Sequence, residues 1–218
     1  MRTVTLILAT LGLMSNLAWA TPENPVEGAE YRTLSNPQPV SSVGKKIEVL
    51  EFFMYHCPAC NMLEPELLAW VKKQGNNVEF KRIHVPHAGP KDAEAHLFLT
   101  LEAMQIEPAM HAKVLQTWHV EHQQLLTDDD NLIWAQKNGL DKAKFTGFYN
   151  SFSVISKLQN LASIAHTYQV ESTPTIIVDG RYLSSMSMVD ASNPGLAHIN
   201  TSSLQVLDAL VLKAQAGK

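Results

Sequence analysis

The stretch Lys46-Ile47-Glu48-Val49-Leu50-Glu51-Phe52-Phe53-Met54-Tyr55-His56-Cys57-Pro58-Ala59-Cys60 decides the fold. Its first eight residues are rich in β-branched and aromatic side chains and read as a buried strand. Cys57 stands directly before Pro58, and proline is favoured at the first helical position because its missing N–H would be unpaired there anyway. Leu63, Leu67 and Trp70 follow at spacings that share one helical face. Gly75-Asn76-Asn77 supplies the stop, and Val78 to Val85 alternates as a second strand. The unit is strand, helix, strand, with a Cys-x-x-Cys at the start of its helix.

Beyond this unit the spacing predicts helices over residues 91–105, 108–124, 128–138, 141–149 and 152–168. Asp128-Asp129-Asp130 places acids where a helix N-terminus favours them. Around Val170-Glu171-Ser172-Thr173-Pro174 the chain becomes extended. Thr175 to Val178 reads as a strand, and Asp179-Gly180 as a hairpin turn into Arg181-Tyr182-Leu183. Residues 184–200 read as loop and 202–214 as a closing helix. The pattern is α/β: a small mixed-sheet domain split between residues 21–89 and 161–218, with a helical insertion over 90–160.

The first twenty residues read as a cleaved secretory signal. Arg2 supplies the positive end, Val4 to Met14 an apolar run too short to span a bilayer, and Ala18-Trp19-Ala20 the small-x-small cleavage pattern. What remains is long enough to bury a full core unaided. A formal net charge of −4 without a basic cluster argues against a nucleic-acid partner. No glycine-rich phosphate loop follows a strand and no nucleophile-elbow motif occurs, so no nucleotide cofactor is expected.

Both cysteines of the chain lie in the one Cys-x-x-Cys. A disulfide scaffold would need more cysteines spread along the chain, and structural zinc would need two further ligands at matching spacing. Such a short loop also gains little from closure. Reversible redox chemistry remains, in a compartment where disulfides persist. The helix N-terminus offers unpaired N–H groups and partial positive charge, which lower a thiol pKa. Cys57, at the helix start, is assigned the attacking role, and Cys60, one turn in, the resolving role.

Three neighbours bear on that pair. A protonated His56 would favour the Cys57 thiolate; alternatively it points away from the strand end. Glu51 interrupts an apolar strand, where a carboxylate is costly without a partner. It either lies beneath the site, able to pass protons to Cys60, or faces solvent. The Thr173-Pro174 bond is open to a cis geometry, with trans the default. Trp118 and Trp134 read as core. Met54 and Met62 flank the helix as an adaptable apolar surface or as core filling. His84 with His87, and His119 with His122, have spacings that could pair, but scattered histidines are more often surface or capping groups, and no metal is expected.

Taken together, Val49-Leu50-Glu51-Phe52-Phe53, Cys57-Pro58-Ala59-Cys60, the helical insertion, Thr173-Pro174-Thr175 and Asp179-Gly180-Arg181-Tyr182 resemble the bacterial DsbA family. The likeness runs from about Gly28 to Tyr182. It implies a thioredoxin fold with an inserted helical domain and a periplasmic monomer. It also implies donation of the Cys57–Cys60 disulfide to reduced exported polypeptides, and reoxidation by a membrane quinone reductase of the DsbB type. Thr173 and a cis Pro174 match the loop that faces the disulfide and holds an extended substrate, and Glu51 matches the buried acid. Arg82 stands where the family commonly has lysine. Because arginine does not release its proton, a Glu51–Arg82 pair is expected to keep Glu51 charged. The family's usual dipeptide between the cysteines is Pro-His, whereas this chain has Pro58-Ala59. Loss of that histidine predicts a less oxidising protein.

Two rivals remain. One is a periplasmic reductase or isomerase on the same fold, although no separate dimerisation domain is visible before residue 46. The other is a metal-binding or chaperone-like protein using the cysteines and some of the nine histidines.

Overall fold

The computed structural model describes residues 21–217. The expected signal, residues 1–20, lies outside them. Five strands form one mixed sheet in the order β1 (Arg32–Thr33), β5 (Tyr182–Ser185), β4 (Thr175–Val178), β2 (Ile47–Phe53) and β3 (Val78–His84). β2 runs parallel to β3, with Ile47 opposite Val78 and Phe53 opposite His84. It runs antiparallel to β4, with Val49 opposite Val178 and Phe52 opposite Thr175. Flanked on both edges, β2 is buried at every residue, as its nearly continuous apolar sequence demands.

Alternation along β2 divides the core. Ile47 and Val49 pack with Leu63, Leu67 and Trp70 of α1 (Pro58–Gln74) and with Val206, Leu207 and Leu210 of α8 (Ile199–Ala216). Leu50 and Phe52 point the other way, toward Ala165 and Tyr168. Phe53 joins a third cluster with Phe98, Leu101, Trp134 and Phe145. That cluster is the core of the helices between β3 and β4: α2 (Ala93–Ala103), α3 (Glu107–His119), α4 (Asp128–Lys137), α5 (Lys142–Tyr149) and α6 (Phe152–Thr167). The fold is therefore α/β, a sheet domain with an inserted helical unit whose core reaches the strand that leads to Cys57. Trp134 is fully buried and Trp118 packs partly buried against the same cluster.

Local chemistry explains the boundaries. Asp130 serves as the third residue of α4 in a reciprocal cap with Thr127. Asp179, Gly180 and Arg181 connect β4 to β5, and Asp179 and Gly180 both take positive φ, 53° and 61°, which turns the chain back so that the Arg181 N–H donates to the Val178 carbonyl. A Cβ on Gly180 would collide with the Gln38 carbonyl oxygen, so only glycine fits.

The fold departs from expectation in three places. Residues 184–200 are loop only over 193–198. Ser184 and Ser185 complete β5, and α7 (Met186–Ser192) follows. Ser185 caps that helix by accepting from the Met188 N–H, and Val189 buries itself in the core. A single cap and one buried residue in seven leave too weak a period to read. The short β1, paired with β5 through Arg32 and Leu183, was likewise below that threshold. Residue 160, expected as the end of the insertion, falls inside α6, which continues to Thr167 and carries Ala165 onto the sheet. No helix among the described residues is long and apolar enough to cross a membrane.

Candidate active site

β2 ends at Phe53, and Met54-Tyr55-His56 carry the chain to α1. His119 Nε2 donates to the Tyr55 carbonyl at 2.8 Å, tying this loop to α3. Cys57 is the N-cap of α1, in extended backbone geometry, with Pro58 at the first helical position. Its Sγ accepts from the Cys60 N–H at 3.4 Å, one of the donors a helix start leaves unpaired. The two cysteines are free thiols, 8% and 2% exposed. Thr173 and Pro174 come from the segment before β4. The Thr173-Pro174 bond is cis, and the Thr173 carbonyl oxygen lies 3.4 Å from Cys57 Sγ, accepting from the thiol.

This surrounding separates the two thiols. A hydrogen bond from the Cys60 thiol, supported by the Thr173 side chain and by the Cys60 and Ala59 backbone, lowers Cys57 to about 5, although burial opposes the shift. The same sulfur–sulfur contact together with burial pushes Cys60 far above the ordinary thiol range. At neutral pH Cys57 is a thiolate and Cys60 holds its proton, the division that a nucleophile and a resolving thiol would need.

Glu51 lies beneath the site, 1% exposed, and Arg82 Nε donates to its Oε2 at 3.0 Å. The pair forms and Arg82 lowers Glu51 as expected, but burial outweighs it and Glu51 is raised to about 7. Arg82 is not Glu51's alone. Its Nη2 donates to Glu64 at 2.8 Å and its Nη1 stands 4.0 Å from Glu107. One buried cation thus faces three carboxylates, and the other two repel charge on Glu51. His111 completes the cluster, 2.6 Å from Glu107. Glu64 had a legible signal, lying four residues after Cys60 on the inner face of α1. Glu107 and His111 come from the insertion and had none.

His56 turns toward the insertion. Its backbone N–H donates to Glu94 Oε2 at 3.1 Å and its Nδ1 lies 2.8 Å from Glu94 Oε1. Glu94 is held near 2 despite its burial, through its contacts with His56 and the neighbouring His84, and the His56 contact raises His56. The histidine pairs noted in the sequence do not form as pairs. His84 is buried and accepts from the Tyr55 N–H at 3.3 Å, His87 is half-exposed, and His122 is exposed in the turn after α3. Met54 packs against the insertion core, while Met62 is 55% exposed on α1.

The comparisons agree with this geometry. The thioredoxin family model Thioredoxin_4 matches residues 45–193. The thiol:disulfide interchange protein DsbA of Burkholderia cepacia is 37% identical over 212 residues, covering 97% of this chain and 96% of the relative. That of Pseudomonas aeruginosa PAO1 is 37% identical over 179 residues, covering 82% and 83%. The crystal structure of Pseudomonas aeruginosa DsbA superposes with a TM-score of 0.76 at 35% identity, covering 87% of this chain and 94% of that one. The oxidoreductase NmDsbA1 from Neisseria meningitidis gives 0.72 at 25%, covering 88% and 95%.

Proposed function

The chain belongs to the DsbA family of thioredoxin-fold thiol:disulfide oxidoreductases, and from that membership we propose that it donates a Cys57–Cys60 disulfide to reduced, newly exported polypeptides in the periplasm. The observation that carries this reading is the position of Cys57 Sγ between the start of α1 and the Thr173 carbonyl. A substrate thiolate attacks Cys57, forming a mixed disulfide and releasing Cys60. A second substrate thiolate then attacks the substrate sulfur of that bond, leaving the substrate oxidised and both enzyme thiols reduced. Because the Cys57 thiolate is well stabilised it is a good leaving group, which favours transfer of the disulfide outward.

Thr173 and Pro174 border Cys57 and offer backbone groups to an extended segment. The protein acts as a monomer, and a DsbB-type membrane quinone reductase returns it to the disulfide form. With Ala59 in place of the family's usual histidine, one donor to the thiolate is missing, so the potential lies below that of Pro-His relatives. The test is the equilibrium of the Cys57–Cys60 pair in glutathione buffers, together with oxidation of a reduced, unfolded protein by the disulfide form. A potential above that of the glutathione pool and stoichiometric oxidation of the substrate are expected. A potential at the reducing end, with no substrate oxidation, would turn the assignment to a reductase.

A further inference from the structure

Beside the redox pair lies a second constellation of side chains able to ligate a metal. His56 ends the loop before Cys57, His87 lies in the connection after β3, and Glu94 stands in the first turn of α2. One ring nitrogen from each histidine and one Glu94 oxygen lie within 4.8 Å of one another. The imidazole rings of His56 and His87 meet edge to face, with centroids 4.9 Å apart. Tetrahedral zinc bonded to nitrogen at about 2.0–2.1 Å sets its ligand atoms roughly 3.3 Å apart. Small movements close that difference, and the His87 side chain, 46% exposed, has the room to make them.

The surroundings separate this cluster from a chance meeting. Asp92 is fully buried, caps α2 through the Ala95 N–H, and accepts the backbone N–H groups of His87 and Ala88. Its Oδ2 also lies 2.7 Å from His87 Nδ1. That contact directs the Nδ1 proton to the carboxylate and leaves Nε2 free to ligate, the outer-shell arrangement typical of a metal-binding histidine. Glu94 has a side chain only 1% exposed, and its oxygens meet the His56 N–H and Nδ1, so a cation would take the place of the proton shared between Nδ1 and the carboxylate.

We propose that His56, His87 and Glu94 bind one first-row divalent cation of the zinc–copper class. Imidazole suits these ions, and three protein ligands with an open fourth position is a known zinc arrangement. The ligands come from the redox loop, the β3–α2 connection and α2, so a bound cation would fasten the loop bearing Cys57 to the helical insertion. The sequence expectation of no metal weighed histidines in pairs along the chain, whereas these ligands converge from three segments. The proposal is independent of the thiol-exchange reading.

Titration calorimetry of zinc chloride into oxidised protein (residues 21–218), with both cysteines held in the disulfide, tests it. One equivalent should bind, and affinity should fall by about tenfold or more in His87→Ala and in Glu94→Gln. His87→Ala keeps the test decisive if the buried Glu94→Gln variant folds poorly. Replacement of exposed His166 should leave binding unchanged. Zinc-edge X-ray absorption should show nitrogen and oxygen neighbours only. Failure to bind one equivalent, binding that survives His87→Ala, or a sulfur neighbour would overturn the site.

Discussion

Cys57 Sγ and the Thr173 carbonyl oxygen face each other at 3.4 Å across 116 residues of sequence. The contact joins the start of α1 to the cis-proline segment, and it puts backbone from the second half of the sheet domain against the attacking sulfur. On the proposed function, substrate approaches Cys57 beside that segment. Cys57→Ser should therefore abolish disulfide exchange while leaving the fold intact, because serine keeps the N-cap acceptor. The check is oxidation of a reduced protein substrate, with circular dichroism as the control. Retained exchange in the variant would remove Cys57 from the attacking role.

Cys60→Ser should trap the other half of the cycle. Cys60 is 2% exposed and holds its proton far above the ordinary range, so it acts on Cys57 rather than on substrate. Without it, a mixed disulfide formed through Cys57 cannot resolve internally. Non-reducing gels of the variant incubated with oxidised substrate should show covalent adducts that dithiothreitol removes.

Ala59→His restores the residue that Pro-His relatives carry between the cysteines. The position is partly exposed beside Cys57, and its backbone already contributes to the thiolate. An added donor should stabilise the thiolate over the disulfide and raise the reduction potential by on the order of 30 mV, about 1.4 kcal/mol. Glutathione equilibration reads the shift directly. An unchanged potential would show that Cys60 and Thr173 already set the poise.

How much of this was legible in the sequence follows from how local each signal is. β2, Pro58, the Cys-x-x-Cys and the Asp179-Gly180 turn depend on neighbours a few residues away, so their sequence patterns are sharp. The same holds for the helices of the insertion, whose ends agree within two residues except that α3 stops at His119, five residues short of the expected 124. α7 rests on a single serine cap and β1 on two residues, and both escaped. The electrostatics escaped for a different reason. Arg82 was visible as a partner for Glu51, but Glu64 and Glu107 reach it from α1 and α3, and their competition for one cation is a property of packing. Glu94, from the insertion, meets His56 across 38 residues with no motif to announce it.

Glu51→Gln tests the shared-cation reading through pH. Glu51 is raised to about 7 in the fold, against an ordinary 4.5. A carboxyl whose folded pKa exceeds its unfolded one stabilises the fold fully below the unfolded value and loses that contribution as pH rises through the folded one. The native protein should therefore lose stability from Glu51 between about pH 4.5 and 7, on the order of a few kcal/mol for a fully buried group. Glutamine has no such titration. Urea midpoints of the variant should fall less than those of the native protein across this window. Parallel curves would mean that Glu51 stays ionised throughout.

Arg82→Met deepens the imbalance. Arg82 is 7% exposed at the side chain and is the cation shared by Glu51, Glu64 and Glu107. Methionine nearly matches its apolar length but leaves three buried carboxylates without a counter-charge. Breaking a buried ion pair by removing one partner costs about 3–5 kcal/mol, and that loss is expected at pH 7.5. Acidification protonates the carboxylates and should return part of the stability, so the gap between variant and native protein narrows toward pH 5. Removing Glu51 at the same time lowers the number of stranded charges, so Arg82→Met with Glu51→Gln should be less destabilised than Arg82→Met alone. Denaturation of the four proteins at both pH values closes the cycle, and a double variant no better than the single one would separate Glu51 from the cluster.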